Sequence, residues 1–203
     1  MGDMKGAEAT QRPYRMAARA EAAAATAERI LDAAVEMFTE RPYEDVSLDL
    51  IAAEAGVTKR TLLRRFESKE ALFGVAMQRA VGEMVAHRDA APVGDVPGAV
   101  ANVVGHYERW GTNRLRLLAQ EDRIPVVAEW VQGGRAYHWD WIDRVFGPQL
   151  RGLRGSARKR RVAALVVLTD VYTWKLLRRD LGLSRADTER TVIDLIENLE
   201  GQD

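Results

Sequence analysis

The sequence contains no cysteine among its 203 residues. It therefore has no disulfide framework, no thiolate chemistry and no cysteine-based metal site. Long apolar runs are also missing, because none approaches the roughly 18 consecutive apolar residues of a membrane helix. The first fifteen residues lack the apolar segment of a signal peptide. We expect a cytoplasmic protein that does not associate with membranes.

Neither sign of charge is in excess, because 30 basic residues balance 30 acidic ones. Any binding to nucleic acid must therefore use a local patch of charge. Such a patch lies between Thr58 and Lys69, where five cations accompany one acid, Glu67. A helix that needed only solubility would mix charges of both signs. The charges alone leave two interpretations open, a solvated basic face and a phosphate-binding surface.

A helix–turn–helix pattern surrounds this patch. Ser47 is a predicted cap of a short helix, and Gly56 is a predicted helix end because glycine adopts the left-handed conformation at low cost. Thr58 is a predicted cap of a second helix. The residues predicted to point inward, at helical spacing, are Leu48, Ile51, Ala52, Ala55, Leu62 and Phe66. Two short helices joined by a glycine-bearing turn are typical of a DNA-binding unit.

The same region carries a family resemblance between Arg29 and Val75. Its motifs are Met37-Phe38, Val46-Ser47, Ile51-Ala52, Ala55-Gly56-Val57-Thr58, Thr61-Leu62, Phe66 and Ser68-Lys69-Glu70-Ala71-Leu72. With these motifs at these spacings, the segment resembles the N-terminal DNA-binding domain of the TetR family of repressors. The resemblance implies an all-α fold of about nine helices. It also implies an arm and the start of the first helix in residues 1–25, a DNA-binding domain in 26–75, and a ligand-binding and dimerisation domain in 76–203.

By this resemblance, specific residues contact DNA. Thr58, Lys59, Arg60 and Thr61 are expected to face the major groove, and Arg64, Arg65 and Lys69 to hold phosphates. Ser47 and Leu63 complete the candidate DNA-binding residues. Leu63 departs from the family, which usually has a tyrosine there, but it can pack on a thymine methyl group. Arg65 replaces a frequent aromatic residue, and the acid Asp49 is assigned no base contact.

The helices outside this unit follow from apolar spacing and from helix-breaking residues. Residues 1–15 are expected to form a loose polar arm, either disordered or lying along the minor groove. The first helix has a buried stripe of Ile30, Ala34, Met37 and Phe38 and ends before Pro42. Later helices are expected at 69–89, 98–110, 113–122, 125–132, after Gly133-Gly134 up to Gly147, at 162–179, and after the capping residue Ser184. A linker is expected at 90–97, and we place a domain boundary near it.

Aromatic residues concentrate after this linker. Aromatics at helical spacing usually belong to the core, but a pocket for a small apolar ligand also needs aromatic walls. The candidate ligand-binding residues are Tyr107, Trp110, Trp130, Tyr137 and Trp141. The three histidines fit no metal motif, so we expect no metal and no cofactor.

The last two predicted helices carry apolar residues on more than one face, which favours a two-fold homodimer. The resemblance also implies a homodimer, with a four-helix interface formed by these last two helices of each subunit. The candidate dimer residues are Leu165, Thr169, Tyr172, Leu176, Val192 and Ile196.

These patterns predict a regulator of transcription, in the first place a ligand-responsive repressor that binds a near-palindromic operator as a dimer. Its expected partners are double-stranded DNA, a second copy of itself and an unknown small-molecule effector. Two alternatives are a DNA-binding regulator without any ligand and a helical enzyme. No nucleophile pair or phosphate-binding glycine loop supports the enzyme.

Overall fold

The computed structural model describes residues 5–200, which contain nine α-helices and no β-strand. The prediction of an all-α fold with about nine helices is therefore confirmed. The chain forms two compact units, Met1–Ala80 and Val81–Asp203. The division falls within one helix, ahead of the 90–97 segment where the sequence suggested a boundary. No helix in the described range is long and apolar enough to cross a membrane.

The first unit is built from four helices. These are α1 (Lys5–Glu40), α2 (Leu48–Glu54), α3 (Lys59–Phe66) and the first part of α4 (Lys69–Asp89), with a 3₁₀ turn at Tyr43–Asp45. The predicted α1 stripe of Ile30, Ala34, Met37 and Phe38 is buried. Phe38 packs edge-on against Phe73 of α4, with ring centroids 5.0 Å apart. This core holds α2 and α3 in place.

The N-terminal arm was predicted wrongly from Lys5 onward, because α1 begins there and runs through Pro13. Alanine-rich sequence on both sides of the proline favours helix, and this preference outweighs the one hydrogen bond that proline cannot donate. Residues 1–4 of the predicted arm lie outside the described residues.

The second unit contains the rest of α4 and five further helices. They are α5 (Val96–Leu118), α6 (Pro125–Val145), α7 (Gly155–Leu168), α8 (Val171–Lys175) and α9 (Arg185–Glu200). A 3₁₀ turn at Pro148–Leu150 precedes α7, and a π-helical turn at Leu176–Asp180 follows α8. The largest fully buried side chains of this unit include Trp141, Phe146, Ile142, Leu165 and Ile196.

Two predicted helix breaks are absent. Residues 98–122 were expected to form two helices, but α5 runs without interruption to Leu118. Gly111 of α5 lies against the Trp174 ring, and a Cβ atom there would be 2.6 Å from that ring. Likewise α6 continues through Gly133-Gly134, and a Cβ at Gly134 would lie 2.5 Å from the Arg114 guanidinium. Gly111 and Gly134 make room for a neighbouring side chain and do not end a helix.

The expected long helix at 162–179 is instead broken at Thr169-Asp170. The Thr169 hydroxyl donates to the Leu165 carbonyl at 2.7 Å, and the Asp170 carboxylate accepts from the Tyr172 amide at 2.8 Å. Through such local bonds, threonine and aspartate side chains compete with the backbone hydrogen bonds of the helix. Asp170 thus caps a new helix, α8.

Candidate nucleic-acid interface

The α2–turn–α3 unit is fixed by bonds that its own sequence supplies. Ser47 Oγ accepts from the Leu50 amide at 3.2 Å, and Thr58 Oγ1 accepts from the Thr61 amide at 3.2 Å. Gly56 has a φ of +64° in the turn between the helices. Both predicted caps and the glycine turn are confirmed. Each cap contributes about 1 kcal/mol to stability.

The two faces of α3 differ in burial and in charge. Leu62 is fully buried, and Phe66 is half-buried. Four cationic side chains are exposed to solvent: Lys59, Arg60, Arg64 and Arg65. The helix itself, KRTLLRRF, contains no acid. The exposed face therefore presents only positive charge, as a helix bound to a DNA groove requires.

The uncharged candidates lie around this face. Thr58 is exposed, and its hydroxyl oxygen lies 3.0 Å from that of the half-buried Thr61. Leu63 is half-buried. Ser47 is exposed at the start of α2, with its hydroxyl engaged as the cap.

An ion pair that the sequence did not predict joins α2 to α3. Lys59 Nζ lies 2.9 Å from Asp49 Oδ2, and both side chains are at least half exposed, at 50% and 68%. An exposed pair of this kind contributes about 0.2–1 kcal/mol, so it holds Lys59 only loosely. In the sequence, the only sign of this pair is the acid Asp49 in the first turn of α2. The turn between α2 and α3 brings Asp49 next to Lys59, the first residue of α3.

Lys69 lies at the start of α4 and is engaged inside the protein. Its ammonium group donates to the Tyr43 carbonyl at 2.5 Å and lies 4.0 Å from the Tyr43 ring centroid. Burial lowers the pKa of Lys69, and burial followed by the bond to Glu70 raises the pKa of Tyr43. Lys69 therefore braces the 3₁₀ turn, so a phosphate contact would have to compete with this bond.

The structure places one of the five aromatic ligand candidates, Tyr107, at a described cavity. Tyr107 is buried beside a cavity of about 10 Å³, which it borders together with Thr169 and Trp174. This volume holds about one water molecule. The other four candidates do not border this cavity: Trp110, Trp130, Tyr137 and Trp141. Tyr107 is thus the candidate found at this cavity, and an aromatic pocket wall shared by all five stays a prediction.

The four remaining aromatics have other surroundings. Trp141 is buried in the core, and its indole nitrogen donates to the Arg88 carbonyl at 3.0 Å. Trp110 is half-buried against His106, and Tyr137 donates to Asp89 at 2.8 Å. Trp130 is half-buried. Trp174 borders the cavity but was not predicted as a ligand residue, because the sequence placed it on an apolar face of a continuous helix.

The candidate dimer residues separate into two groups. Four of them are buried within the protomer itself and are removed from the predicted interface: Leu165, Thr169, Val192 and Ile196. They pack against helices of their own chain, so they offer no surface to a partner. Tyr172 and Leu176 are 54% and 51% exposed. Val167, Leu181 and Leu195 are exposed apolar residues of the same C-terminal region.

Comparison with known proteins locates the first unit in a family. Residues 30–76 match the family model described as bacterial regulatory proteins, tetR family. An uncharacterized HTH-type transcriptional regulator of Mycobacterium tuberculosis is 33% identical over 105 residues, which cover 51% of this chain and 48% of that protein. The chain therefore spans about half the length of the curated relatives that it matches first.

Solved structures share the fold over most of the chain. A transcriptional regulator from Rhodococcus sp. RHA1 is 17% identical, with a TM-score of 0.63 over 85% of this chain and 94% of that chain. A TetR-family regulator from Streptomyces coelicolor is 19% identical, with a TM-score of 0.62 over 85% and 81%. A Saccharomonospora viridis protein solved in complex with choline is 21% identical, with a TM-score of 0.62 over 88% and 96%. The match to the tetR family thus covers residues 30–76, and the solved structures show that the chain shares their fold.

Proposed function

We propose that this protein is a transcriptional regulator that binds DNA through α3, works as a dimer and responds to a small molecule. The observation that carries the proposal is the exposed face of α3, whose charges are all positive although the whole chain is neutral. The relatives are regulators and not enzymes, so the alternative of a helical enzyme is not retained. A DNA target places the protein in the cytoplasm.

The residues of α3 have different roles in this proposal. Thr58, Lys59, Arg60 and Thr61 lie at its N-terminal end, where a recognition helix contacts base edges. Arg64 and Arg65, one turn later, are placed for phosphates, and Lys69 can add a contact only by leaving Tyr43. Ser47 and Leu63 border the same face. Base contacts specify the site, and phosphate contacts supply affinity.

The dimer supplies the second half-site contact. Two recognition helices about 34–36 Å apart fit successive major grooves, so the operator is near-palindromic. Exposed Tyr172 and Leu176 support an interface in the C-terminal helices, because apolar side chains that are half exposed in one protomer gain from being covered by another. Repression follows if the bound dimer blocks transcription.

Ligand response is supported by the cavity beside Tyr107 and by the fold shared with a protein that binds choline. Organic ligands need about 300–1,000 Å³, so the cavity must open before it can hold one. Trp174 closes one side, and its indole nitrogen donates to Glu108 at 2.8 Å. A ligand that requires displacement of Trp174 has different affinities for the open and closed states, which is the condition for regulation.

The test of DNA binding is fluorescence anisotropy with a duplex from the region upstream of the gene, measured from about 50 to 200 mM salt. Arg64 and Arg65 of both protomers give about four phosphate contacts per dimer, or about six with Lys69, which predicts an affinity loss of about 10²–10³ over this range. The variant Arg64→Ala with Arg65→Ala removes four of these contacts per dimer, so the slope of log K against log salt decreases by about 4.

The control is Arg151→Ala with Arg154→Ala, which removes two exposed arginines outside α3. It should leave both affinity and slope unchanged. An equal loss in the control would show that Arg151 and Arg154 also bind DNA, and no loss in the α3 variant would contradict the proposal. Repeating the titration with candidate ligands separates a ligand-responsive regulator from one without a ligand.

A further inference from the structure

The second unit contains a buried arginine that lacks an acidic partner. Arg88 of α4 is 3% exposed, and its Nε atom has no hydrogen-bond partner. Within the described part of the chain, no carboxylate forms a salt bridge with it. Its neighbour Asp89 is bonded instead to Tyr137 and Arg144. Proteins normally pair a buried charge, because an unpaired one loses its solvation without compensation.

The Arg88 guanidinium is hydrogen-bonded to a histidine, which leaves the positive charge uncompensated. Arg88 Nη2 lies 3.0 Å from His138 Nδ1. Arginine can only donate, so Nδ1 accepts and the ring proton lies on Nε2, which faces Thr169 Oγ1 at 3.2 Å. Burial, followed by the charge of Arg88, lowers the pKa of His138 to about 3. The histidine is neutral at pH 7 and orients the guanidinium without neutralising it.

A second arginine adds positive charge to the same interior. Burial lowers the pKa of Arg114, and its charge in turn acts on Tyr107 and His138. Acids near Arg114 already have other partners. Glu121 accepts two bonds from Arg135 at 2.6 and 2.7 Å, and Asp170 caps α8. Arg88 is therefore the buried guanidinium near Tyr107, and the half-buried Arg114 adds a second positive charge that acts on the same residues.

A small cavity lies on the far side of Tyr107 and Thr169 from Arg88, which does not itself border it. Tyr107 and Thr169 border the cavity, and the Tyr107 hydroxyl donates to the Thr169 carbonyl at 3.1 Å. On its other side, Thr169 meets His138, and the Arg88 guanidinium lies 6.0 Å from the Tyr107 ring centroid. The rest of the cavity wall has five apolar residues and two polar ones, Thr188 and Asp170, whose carboxylate caps α8; the apolar residues are Val103, Val104, Leu168, Trp174 and Val192.

We propose that the effector is a small anion with an apolar body, of which an aliphatic carboxylate is the simplest case, and that Arg88 takes its charge. The proposal rests on the ligand response proposed above and names the chemistry of the ligand. The free Nε–H belongs to the planar donor set with which arginine recognises carboxylates. The apolar body would occupy the cavity once Trp174 has moved.

A cationic ligand is disfavoured at the same place. The Arg88 guanidinium lies 4.0 Å from the centroid of the Trp141 ring, which is the position that a bound ammonium group would take on an aromatic face. The protein thus supplies its own cation to this aromatic ring. Any second cation would be repelled by Arg88 and by Arg114.

Three probes that share an alkyl chain of the same length and differ in head-group charge test which charge the site prefers: octanoate, octanol and octylammonium. Thermal unfolding of the full chain is measured against the concentration of each. Octanoate should raise Tm by about 5–10 °C at about 100 times its Kd, and the other two should have much smaller effects. Equal stabilisation by octanol or octylammonium, or none by octanoate, would overturn the proposal.

Arg88→Met tests the residue, because methionine keeps a long apolar side chain over Trp141 while it removes the charge. This variant should lose the response to octanoate. Arg88→Lys keeps the charge without the planar donor set and should retain a reduced response, which covers the case in which Arg88→Met does not fold. The matched control Arg109→Met removes an arginine that lies on the Trp110 ring and pairs with Glu83 at the surface, and it should respond as the wild type does.

Failure of this inference and failure of the proposed function give different results. If α3 variants lose DNA binding while octanoate leaves Tm unchanged, the anion site is wrong and DNA binding stands. If octanoate raises Tm only when Arg88 is present but leaves DNA affinity unchanged, the anion site stands and ligand-controlled DNA binding fails.

Discussion

Asp49 places a negative charge beside the cationic face of α3, which is unexpected for a surface that binds a polyanion. Its carboxylate pairs with Lys59 at 2.9 Å. The pair reduces the attraction of α3 to phosphates in general, because one of its four exposed cations is partly neutralised. Because both side chains are exposed, Lys59 can leave Asp49 and contact a base edge of DNA at a low cost in free energy. If α3 binds DNA as proposed, we therefore expect Asp49 to favour a specific site over random DNA.

Replacing Asp49 with asparagine tests this role. The variant removes one negative charge per protomer and frees Lys59, so it should bind non-specific DNA several-fold more tightly. Its slope of log K against log salt should become steeper by about one per protomer. Anisotropy with a random duplex measures both quantities.

Glu54→Gln is the control for Asp49→Asn, because it removes an equal charge at the exposed C-terminal end of α2. It leaves the Asp49–Lys59 pair intact. An effect of Glu54→Gln as large as that of Asp49→Asn would show that net charge, and not the ion pair, controls the affinity.

Single residues also show why part of the candidate interface was predictable. Ser47, Gly56 and Thr58 act within a few positions of themselves, through a cap or a left-handed turn, so their sequence neighbours determine their roles. Asp49 and Lys69 act on partners 10 and 26 residues away. Their contacts depend on how α2, α3 and α4 pack, which spacing alone does not give.

Among the helices, glycine gave the least reliable signal. A break was predicted at Gly133-Gly134 and another between residues 110 and 113, where Gly111 lies, yet α5 and α6 continue through both positions. A glycine in a helix costs only about 0.5–1 kcal/mol relative to alanine, and tertiary packing exceeds this cost. The opposite error occurred at Thr169-Asp170, where side-chain bonds to the backbone interrupt an apolar stretch that looked continuous.

Gly111→Ala and Gly133→Ala form a matched pair that tests whether tertiary packing accounts for the glycine at position 111. A Cβ at position 111 would lie 2.6 Å from the Trp174 ring, whereas position 133 has open space. Gly111→Ala should therefore lower the free energy of unfolding by about 1–3 kcal/mol through overpacking. Gly133→Ala should raise it by about 0.5–1 kcal/mol through helix propensity. Urea denaturation followed by tryptophan fluorescence measures both, and equal effects of the two substitutions would contradict the packing role of Gly111.

For the whole molecule, the proposed dimer depends on residues that the fold leaves exposed. Aspartate at both Tyr172 and Leu176 should produce monomers, because it would place charge within an apolar interface. Sedimentation should show the mass halved relative to the wild type. The specific DNA affinity should fall as well, since one protomer reaches only one half-site.

Val93→Asp is the control for the dimer variant, since Val93 is 60% exposed but lies outside the C-terminal helices. It should remain a dimer. A monomeric wild type, or dissociation by Val93→Asp alone, would contradict the proposed interface.

The fold class was predictable from the sequence because caps and apolar spacing are local signals, whereas the interior of the second unit was not. Arg88, Arg114 and His138 belong to three different helices, and their proximity follows only from the packing of α4, α5 and α6. Apolar periodicity placed Leu165 and Ile196 on apolar helix faces, and these faces were assigned to the dimer interface although both residues are buried within their own chain. It could not show whether the covering surface was their own chain or a partner.

The most direct test of the central claim is methylation interference on the upstream duplex, which reports groove and spacing together. Methylation of guanine N7 modifies the major groove, and methylation of adenine N3 modifies the minor groove. With α3 of each protomer in a major groove, binding should be blocked by N7 methylation in two clusters, about 10–10.5 base pairs apart or a multiple of this distance. Interference confined to adenine N3, or a single N7 cluster, would contradict the account.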